Sequence, residues 1–382
     1  MTVRDLVERQ IDGILRSAPF DNRVDVLELT TQITGNAEWC VCMPVRNEQA
    51  ALPATLAALR TASGQCPGGV VVMVVNDSSD GSARIVTDWA MQNGIDHVVI
   101  EITCDAAIRR APFVRRLALD IGALLTPAGA LLTTDADTVV NEDWIAGNLA
   151  HLANGAQLVC GTVDVDEKAI DALPGNVRRC GDVEGRYRND MIALWQRWAG
   201  RDAPPLFIGA MGASLAMRAE AYAAIGGLPT PAVAEDKALA LLARMHGLRI
   251  VEAADVRVLT SCRTDARAKG GMGDALLERA TSDDPACDEA LVPLSVLQRR
   301  ADAWLALAGC ANAELTFLEL CTNTPQLQAR RMHMQQVERE QILSQALLNT
   351  RLSGNPAPGA LDERAGSMLS GPADATTCGA VA

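Results

Sequence analysis

Almost continuous aliphatic runs alternate with amphipathic segments between about residues 39 and 258 of this 382-residue chain. Apolar side chains recur every three or four residues in the amphipathic segments, which predicts helices, and the aliphatic runs predict buried strands. This alternation is typical of an α/β fold with a mostly parallel, Rossmann-like sheet that has helices on both faces. The predicted strands are 39–45, 70–76, 97–103, 130–134, 157–163, 213–217, 249–252 and 256–260, and the predicted helices are 50–62, 82–92, 112–125, 141–152 and 182–198.

The pattern changes on both sides of this region. Residues 1–37 are predicted to form an N-terminal helical extension, because apolar side chains recur at helical spacing near its start. Residues 288–350 contain only helical patterns, at 291–321 and, beyond a proline, at 326–349. Residues 351–382 are rich in Gly and Pro and poor in large apolar side chains, so we expect a disordered tail. The expected domains are 1–37, 38–287, 288–350 and 351–382.

Charge and cysteine usage exclude several classes of protein. The net charge of −13 argues against a nucleic-acid partner and against binding to an anionic membrane surface. The eleven cysteines are scattered and the four histidines lie far apart, so a zinc site is not expected. Without an apolar leader or a run of about 18 apolar residues, we predict a cytoplasmic protein with reduced thiols and no membrane span. The apolar helices after residue 288 would suit a homodimer.

Two carboxylates follow the buried strand predicted at 130–134. Asp135 and Asp137 are two residues apart, so in a turn they can converge on one divalent cation, which can hold the phosphates of a nucleotide. In parallel sheets, ligands bind beyond the carboxyl ends of the strands. Asn47 and Asp77 also end or follow strands, so we expect them on the same edge as Asp135. Two aspartates in a turn are usually just turn residues, so the pair needs support from other segments.

Two further polar segments follow the first two predicted strands. The first reads MPVRNE at residues 43–48, and the second reads VVNDSSDGS at residues 74–82. Asp77 is placed to accept hydrogen bonds from a base or a ribose, whereas Asp80 and Ser82 can cap the next helix. A nicotinamide enzyme would carry GxGxxG after the first strand, and this chain has no glycine there.

These segments, followed by TTDADT at residues 133–138, resemble the nucleotide-sugar half of family 2 glycosyltransferases of the GT-A fold. Members of that family typically read V-P-x-Y-N-E, then V-V-D-D-G-S-x-D-G-T, then D-x-D. This chain has Arg46 where an aromatic residue is common, and its second motif is one residue short, with Asn76 in place of the first aspartate. Both departures lie near the base and ribose, so the nucleotide is left open.

The resemblance continues to about residue 275 and implies roles for individual residues. The segment RRLALDIG at 115–122 is similar to the family's A-R-N-x-G helix, whose arginine contacts the donor; Arg115 is the first choice and Arg116 the second. The segment GAMGASLAMR at 209–218 resembles the glycine-containing segment at the sugar and acceptor site. Glu235 and Asp236 resemble the E-D motif, in which the aspartate is the general base of inverting members, although two acids also suit the start of any helix.

A basic segment follows the last predicted strand. Arg263 and Arg267 could close over the leaving diphosphate or bind an acidic acceptor, and a basic surface loop is the alternative. The processive Q-x-x-R-W motif is absent. A second D-x-D at Asp164 and Asp166 ends the next strand, and we assign the cation to Asp135 and Asp137 by their order in the pattern. The nucleotide-sugar-binding residues implied in this way are Pro44, Arg46, Asn47, Glu48, Asp77, Arg115, Asp135, Gly212, Arg263 and Arg267.

The resemblance therefore implies a non-processive hexosyltransferase that depends on Mg²⁺ or Mn²⁺. It would transfer a sugar from a nucleotide-diphosphate donor to a hydroxyl acceptor of unknown identity, in an inverting reaction with Asp236 as the base. Three alternatives stay open: a retaining enzyme of the same fold, a sugar nucleotidyltransferase, and a non-catalytic nucleotide-binding protein that uses residues 288–350 for interactions. A nucleotidyltransferase would normally carry a glycine-rich loop after the first strand, and the chain lacks one.

Overall fold

A computed structural model describes residues 3–35, 37–265 and 270–350 of the chain. These residues form two compact units. Among the described residues, the first unit comprises those up to 174 together with those in 207–280, and the second comprises 175–206 together with 281–350. Both the tail predicted at 351–382 and Arg267 lie outside the described residues.

The first unit is built on one sheet, which has nine strands in the described part of the chain. Their order across the sheet is β1-β4-β3-β2-β5-β8-β7-β9-β6. The strands are β1 Val24–Gln32, β2 Trp39–Val45, β3 Gly69–Asn76, β4 Asp96–Cys104, β5 Ala130–Thr133, β6 Thr138–Val140, β7 Leu158–Val165, β8 Leu215–Arg218 and β9 Ile250–Thr260. The helices up to the end of this unit are α1 Val3–Arg16, α2 Leu52–Gln65, α3 Ser82–Asn93, α4 Ala111–Leu125, α5 Trp144–Ala153, α6 Glu167–Asp171, α7 Gly175–Ala199, α8 Ala219–Ala224, α9 Glu235–Met245 and α10 Met272–Thr281, of which α7 belongs to the second unit.

Strand direction decides where the polar loops meet. Strands β2, β3, β4 and β5 pair in parallel, and β7 and β9, which also pair in parallel, run in the same direction. Strands β1, β6 and β8 run in the opposite direction, so the sheet is mixed around a parallel centre. The carboxyl ends of β2, β3, β5 and β9 and the amino ends of β6 and β8 therefore share one edge, which we call the carboxyl edge.

Alternate side chains of the central strands enter two separate cores. Cys40 and Cys42 of β2 pack on the side of α1, α4, α8 and α9. Val41, Met43 and Val45 of the same strand pack on the side of α2, α3 and α5. A sheet with helices on both faces requires strands that are apolar on both sides, and this explains the unbroken aliphatic runs. The predicted α/β fold is confirmed.

The N-terminal extension contains a strand as well as the predicted helix. Strand β1 pairs antiparallel with β4 at the end of the sheet, and the register shifts between Val26 and Glu28. Side chains 25–28 are exposed, so β1 lacks the apolar alternation of a buried strand. This edge position explains why the hydrophobic pattern did not predict it.

The second unit is helical. Besides α7 it contains α11 Leu294–Ala306, α12 Ala313–Asn323, a 3₁₀ turn at Pro325–Leu327, and α13 Met334–Asn349. The hydroxyl of Tyr187 in α7 donates to the carbonyl of Val292 at 2.7 Å. The rings of Trp195 and Phe317 pack with centroids 5.6 Å apart. The C-terminal helices are confirmed, but the single helix predicted at 291–321 is two helices, since Gly309 adopts a φ of +85° between them.

None of the described helices is long and apolar enough to cross a membrane.

Candidate active site

The two acidic residues of the 133–138 segment form a turn between β5 and β6 at the carboxyl edge. The backbone N–H of Thr138 donates to the carbonyl of Asp135 at 3.2 Å, which closes the turn. The hydroxyl of Thr55 in α2 donates to the carbonyl of the buried Ala136 at 3.1 Å. These two hydrogen bonds fix the turn that carries Asp135 and Asp137 at the end of a buried strand.

Arg115 of α4 contacts this turn, and its side chain is only 5% exposed. Nη2 donates to Oδ1 of Asp135 at 2.5 Å, and Nη1 donates to Oγ1 of Thr133 at 2.8 Å and to the carbonyl of Gly212 at 3.0 Å. Nε donates to Oε1 of Glu235 at 3.0 Å. Burial alone would lower the pKa of Arg115, but Asp135 and Glu235 reverse that effect and raise it above its ordinary value.

A second arginine contacts the other aspartate. Arg263, three residues beyond β9, donates to both carboxylate oxygens of the buried Glu48. Its Nη2 also lies 3.1 Å from Oδ2 of Asp137. Bidentate arginine–carboxylate pairs are directional, so Glu48 fixes the guanidinium of Arg263 next to Asp137. Residues that are 215 positions apart in sequence are joined by this pair.

Asp137 carries an unfavourable negative charge in this setting. Burial, reinforced by Asp135 and more weakly by Glu48, raises the pKa of Asp137 to about 7, although Arg263 opposes the shift. A divalent cation would offset this excess of negative charge. In the described residues, no group of three or more His, Cys, Asp or Glu side chains is arranged to hold a metal ion. Mg²⁺ in nucleotide enzymes, however, is commonly bound by one or two carboxylates and completed by substrate phosphates and water, so the oxygen donors of Asp135 and Asp137 fit such an ion.

The first two polar loops are held together by side chains from both loops. Oδ1 of Asn47 accepts from the backbone N–H of Ser79 at 2.8 Å, and Oγ of Ser82 accepts from the N–H of Glu48 at 2.8 Å. Asp80 accepts from Gln49 N–H at 3.1 Å. Asn47 has a φ of +52°, a left-handed conformation in which Asn is several-fold enriched. Asn47 therefore shapes the edge, and Asp80 links the two loops while its other oxygen accepts from the N–H of Ser82, the first residue of α3, at 3.0 Å.

Asp77 lies at the end of β3 with one oxygen engaged. Its Oδ1 is 3.1 Å from Nε of Arg109, and its backbone N–H donates to Ile102 at 3.0 Å. Among the described residues, the buried Oδ2 atom of Asp77 has no hydrogen-bond partner. Buried carboxylate oxygens are normally satisfied. The atom is therefore a candidate acceptor for a ligand N–H or O–H at this end of the edge.

The acidic pair at the start of α9 divides into two roles. Glu235 is buried against Arg115, whereas Asp236 accepts from the N–H of Gly212 at 2.9 Å. Burial and the neighbouring Glu235 raise the pKa of Asp236, and the N–H bonds from Gly212 and Lys237 oppose the shift. Ala234, just before the helix, has a φ of +61°, which costs a residue other than glycine about 1–2 kcal/mol. Strain of this kind clusters at functional sites.

Two alternatives from the sequence are placed away from this cluster. Arg116 has other partners than Arg115, since it donates to Asp120 at 2.7 Å and to the carbonyl of Leu228 at 2.8 Å. In the second D-x-D, Asp164 is paired with Arg257 at 2.7 Å, and Asp166 caps α6 by accepting from Lys168 N–H at 2.8 Å. Both aspartates of that motif have structural partners.

The structure thus forms two connected sets. Hydrogen bonds and ion pairs join Asp135, Arg115, Gly212, Glu235 and Asp236 in one set, and Glu48, Asp137 and Arg263 in the other. The turn that contains Asp135 and Asp137 brings the two sets together. Pro44 lies in β2 opposite Val74, and the half-buried Arg46 follows that strand, but within the described part of the chain no hydrogen bond or ion pair joins either side chain to these residues. The sequence did not single out Thr55, Thr133 or Arg109 as site residues. Of these three, only Arg109 belongs to a recognisable pattern, the cluster of arginines at 109, 110, 115 and 116.

Replacing Gly212 by alanine is expected to destabilise the fold by about 1–3 kcal/mol through overpacking. An added Cβ would lie 2.8 Å from Nη2 of Arg115. That guanidinium is held by four hydrogen bonds and cannot easily retreat. Chemical denaturation measures the effect. Gly209→Ala is the matched control, because its Cβ would meet nothing closer than Glu252 at 3.6 Å. Equal stability of the two variants would contradict the packing described for Arg115.

Part of the chain matches a known family. Residues 40–204 match the family described as glycosyl transferase family 2. The match includes both polar loops, Arg115 and the 133–138 segment; Gly212, Glu235, Asp236 and Arg263 lie beyond it. Over these residues the chain is similar to that family, and this similarity supports a glycosyltransferase. Together with the observed sheet, the match confirms the GT-A class of fold.

Solved structures that resemble the chain are distant in sequence. The mannosyltransferase PcManGT from Pyrobaculum calidifontis, in complex with GDP-Man and Mn²⁺, is 17% identical with a TM-score of 0.46, over 95% of this chain and 87% of that one. S. aureus TarS 1-349 is 15% identical, with a TM-score of 0.41, over 63% and 70%. Glucosyl-3-phosphoglycerate synthase from Mycobacterium tuberculosis, in complex with Mn²⁺, UDP and glucosyl-3-phosphoglycerate, is 14% identical, with a TM-score of 0.36, over 64% and 78%. Likeness at this level does not transfer a substrate. No curated protein sequence matches the chain.

Proposed function

We propose that this protein is a metal-dependent, inverting glycosyltransferase that moves a sugar from a nucleotide-diphosphate donor to a hydroxyl acceptor. One observation carries the proposal. Asp135, which shares a turn with Asp137 at the carboxyl edge, is connected to the candidate base Asp236 by hydrogen bonds through Arg115 and Gly212. Inverting transfer needs a cation-binding side and a proton-accepting side within one site.

Asp137, assisted by Asp135, would hold Mg²⁺ or Mn²⁺ together with the donor diphosphate. The bound cation would supply positive charge to the diphosphate as negative charge develops on it. Arg263 lies directly beside Asp137, so its guanidinium is available to the same phosphates. The pairing with Glu48 orients Arg263 at low cost in side-chain entropy, because the pair is already formed in the protein.

Recognition of the nucleoside would fall to the other end of the edge. Oδ2 of Asp77 is the unsatisfied acceptor there, and Arg109 contacts its other oxygen. The MPVRNE segment, which contains Pro44, Arg46 and Asn47 and includes the end of β2, lies between Asp77 and the acidic pair, since β2 separates β3 from β5. Arg46 replaces the family's usual aromatic residue, so a different contact to the base or ribose is expected at this position.

Asp236 would remove the proton of the acceptor hydroxyl while that oxygen attacks the anomeric carbon. The hydroxyl oxygen forms the new glycosidic bond, the bond to the diphosphate breaks, and the proton goes to a carboxylate oxygen of Asp236. A raised pKa improves a carboxylate as a base near neutral pH, and burial raises the pKa of Asp236 in this way. The N–H of Gly212 holds one of its oxygens in place.

Two of the remaining alternatives differ from this proposal in their products. A retaining enzyme would share the acidic pair but give the opposite anomer and would not require Asp236 as a base. A sugar nucleotidyltransferase would release pyrophosphate rather than a nucleoside diphosphate. A non-catalytic nucleotide-binding protein would bind donor with Mn²⁺ and turn nothing over.

A thermal-shift screen of GDP-, UDP-, ADP- and TDP-sugars with and without Mn²⁺ tests the proposal. We expect one donor class to raise the melting temperature only when Mn²⁺ is present, since ligands that bind the native state stabilise it. The best donor is then incubated with candidate hydroxyl acceptors, and the released nucleoside diphosphate and the anomeric configuration of the product are measured. Absence of any cation-dependent shift across the screen would contradict the proposal.

A further inference from the structure

Arg115 occupies a position between the cation side and the base side of the site. On one side it contacts Asp135, and on the other it contacts Glu235 at the start of α9. Arg115 also donates to the carbonyl of Gly212. The backbone N–H of Gly212 in turn donates to Asp236. Two short connections therefore lead from the acidic pair to the candidate base, one through Gly212 and one through Glu235.

The contacts of Arg115 leave little capacity for a substrate. A guanidinium has five N–H donors in a fixed plane. Four hydrogen bonds to protein acceptors use the three nitrogens of Arg115, and the side chain is 5% exposed. An arginine that contacts a donor phosphate would instead keep part of its guanidinium exposed, and the side chain of Arg263 is more exposed than that of Arg115, at 26%.

We propose that Arg115 is a positioning residue, which fixes Asp135 relative to the start of α9 and so sets the spacing between the cation and Asp236. This inference rests on the proposed function. It changes the role that the family resemblance implies for Arg115, from a donor contact to a support. Lysine cannot replace it, because one ammonium cannot reach acceptors in Thr133, Asp135, Gly212 and Glu235 at the same time.

The test compares Arg115→Lys with the wild type in three measurements. Mn²⁺ affinity without donor is measured by electron paramagnetic resonance of the free ion, donor affinity at saturating Mn²⁺ by calorimetry, and transfer by steady-state kinetics. We expect Mn²⁺ affinity to fall about 10-fold and kcat to fall about 10- to 100-fold, the range typical of residues that support a metal ligand. Donor affinity at saturating Mn²⁺ should change by less than about threefold.

Glu235→Gln tests the same connection from its other end. It keeps the shape of the side chain and removes the charge that faces Arg115, so kcat should fall. The double variant Arg115→Lys with Glu235→Gln should be no slower than the worse single variant, because both changes break one connection. This non-additivity distinguishes positioning from a general loss of stability. If Arg115→Lys does not fold, Glu235→Gln decides the question by its effect on kcat.

Arg116→Lys is the matched control, since Arg116 lies on the same helix and bonds Asp120 and Leu228 instead. It should keep the wild-type Mn²⁺ affinity and kcat. If Arg115→Lys lowers only donor affinity, or only the melting temperature, the positioning role is overturned while the proposed function stands. If the wild type itself neither binds Mn²⁺ nor transfers sugar, the proposed function fails first.

Discussion

Asp137→Asn is expected to abolish cation-dependent binding of the nucleotide-diphosphate sugar, with a loss in donor affinity of at least about 100-fold. That exceeds the effect of residues that only support a metal ligand, because Asp137 would contact the cation itself. Asparagine has nearly the same shape but no charge, so the fold should be retained. Calorimetric titration with donor, with and without Mn²⁺, measures the change.

The chain provides its own control for this variant. Asp164 belongs to a second D-x-D at the end of β7, and it is paired with Arg257 rather than with the site. Asp164→Asn therefore makes the same chemical change in the same sequence pattern and should leave donor affinity unchanged. If Asp137→Asn kept wild-type affinity for donor and Mn²⁺, or if Asp164→Asn lost it, the assignment of the cation to the 133–138 turn would be wrong.

Asp236→Asn is expected to keep donor binding within about threefold and to lower the rate of transfer by about 10²- to 10⁴-fold, the usual contribution of a general base. The amide can still accept from Gly212 N–H, so the local structure should persist. Single-turnover measurements with bound donor separate this loss from slow product release. Glu235 is not a substitute base, because its carboxylate is buried against Arg115.

The pH dependence provides a second check on Asp236. The base must be ionised, and burial raises its pKa above the ordinary aspartate value. Activity should therefore fall as pH decreases through this raised pKa, at a higher pH than an exposed aspartate would give. The acid limb of the kcat profile should disappear in Asp236→Asn. Normal turnover by that variant would exclude Asp236 as the base and favour the retaining alternative, which the anomeric configuration of the product then decides.

The central strands and the shared edge could be predicted from sequence for a clear physical reason. Strands buried on both faces are apolar at most positions, so β2 was predicted with its observed limits and β3, β4 and β5 to within one residue. Parallel pairing then placed Asn47, Asp77 and Asp135 on one edge without any further information. The edge strand β1 and the three-residue β6 lack such a signal, because neither is both long and buried.

The connections inside the site could not be predicted in the same way. Arg115 and Glu235 are separated by 120 residues, and Glu48 and Arg263 by 215. Nothing local indicates that Glu48 binds an arginine rather than a ligand, or that Arg115 is enclosed while Arg263 is partly open. The break between α11 and α12 was missed for a different reason, since apolar residues continue at helical spacing through it and only Gly309 marks the turn.

The most direct test of the account is anomalous diffraction at the manganese edge from crystals grown with Mn²⁺ and the nucleoside diphosphate found by the donor screen. The account predicts one strong anomalous peak in contact with a carboxylate oxygen of Asp137, bridged to the diphosphate oxygens. A diphosphate bound at the carboxyl edge with no manganese beside Asp137, or with the manganese at Asp164 and Asp166 instead, would contradict it.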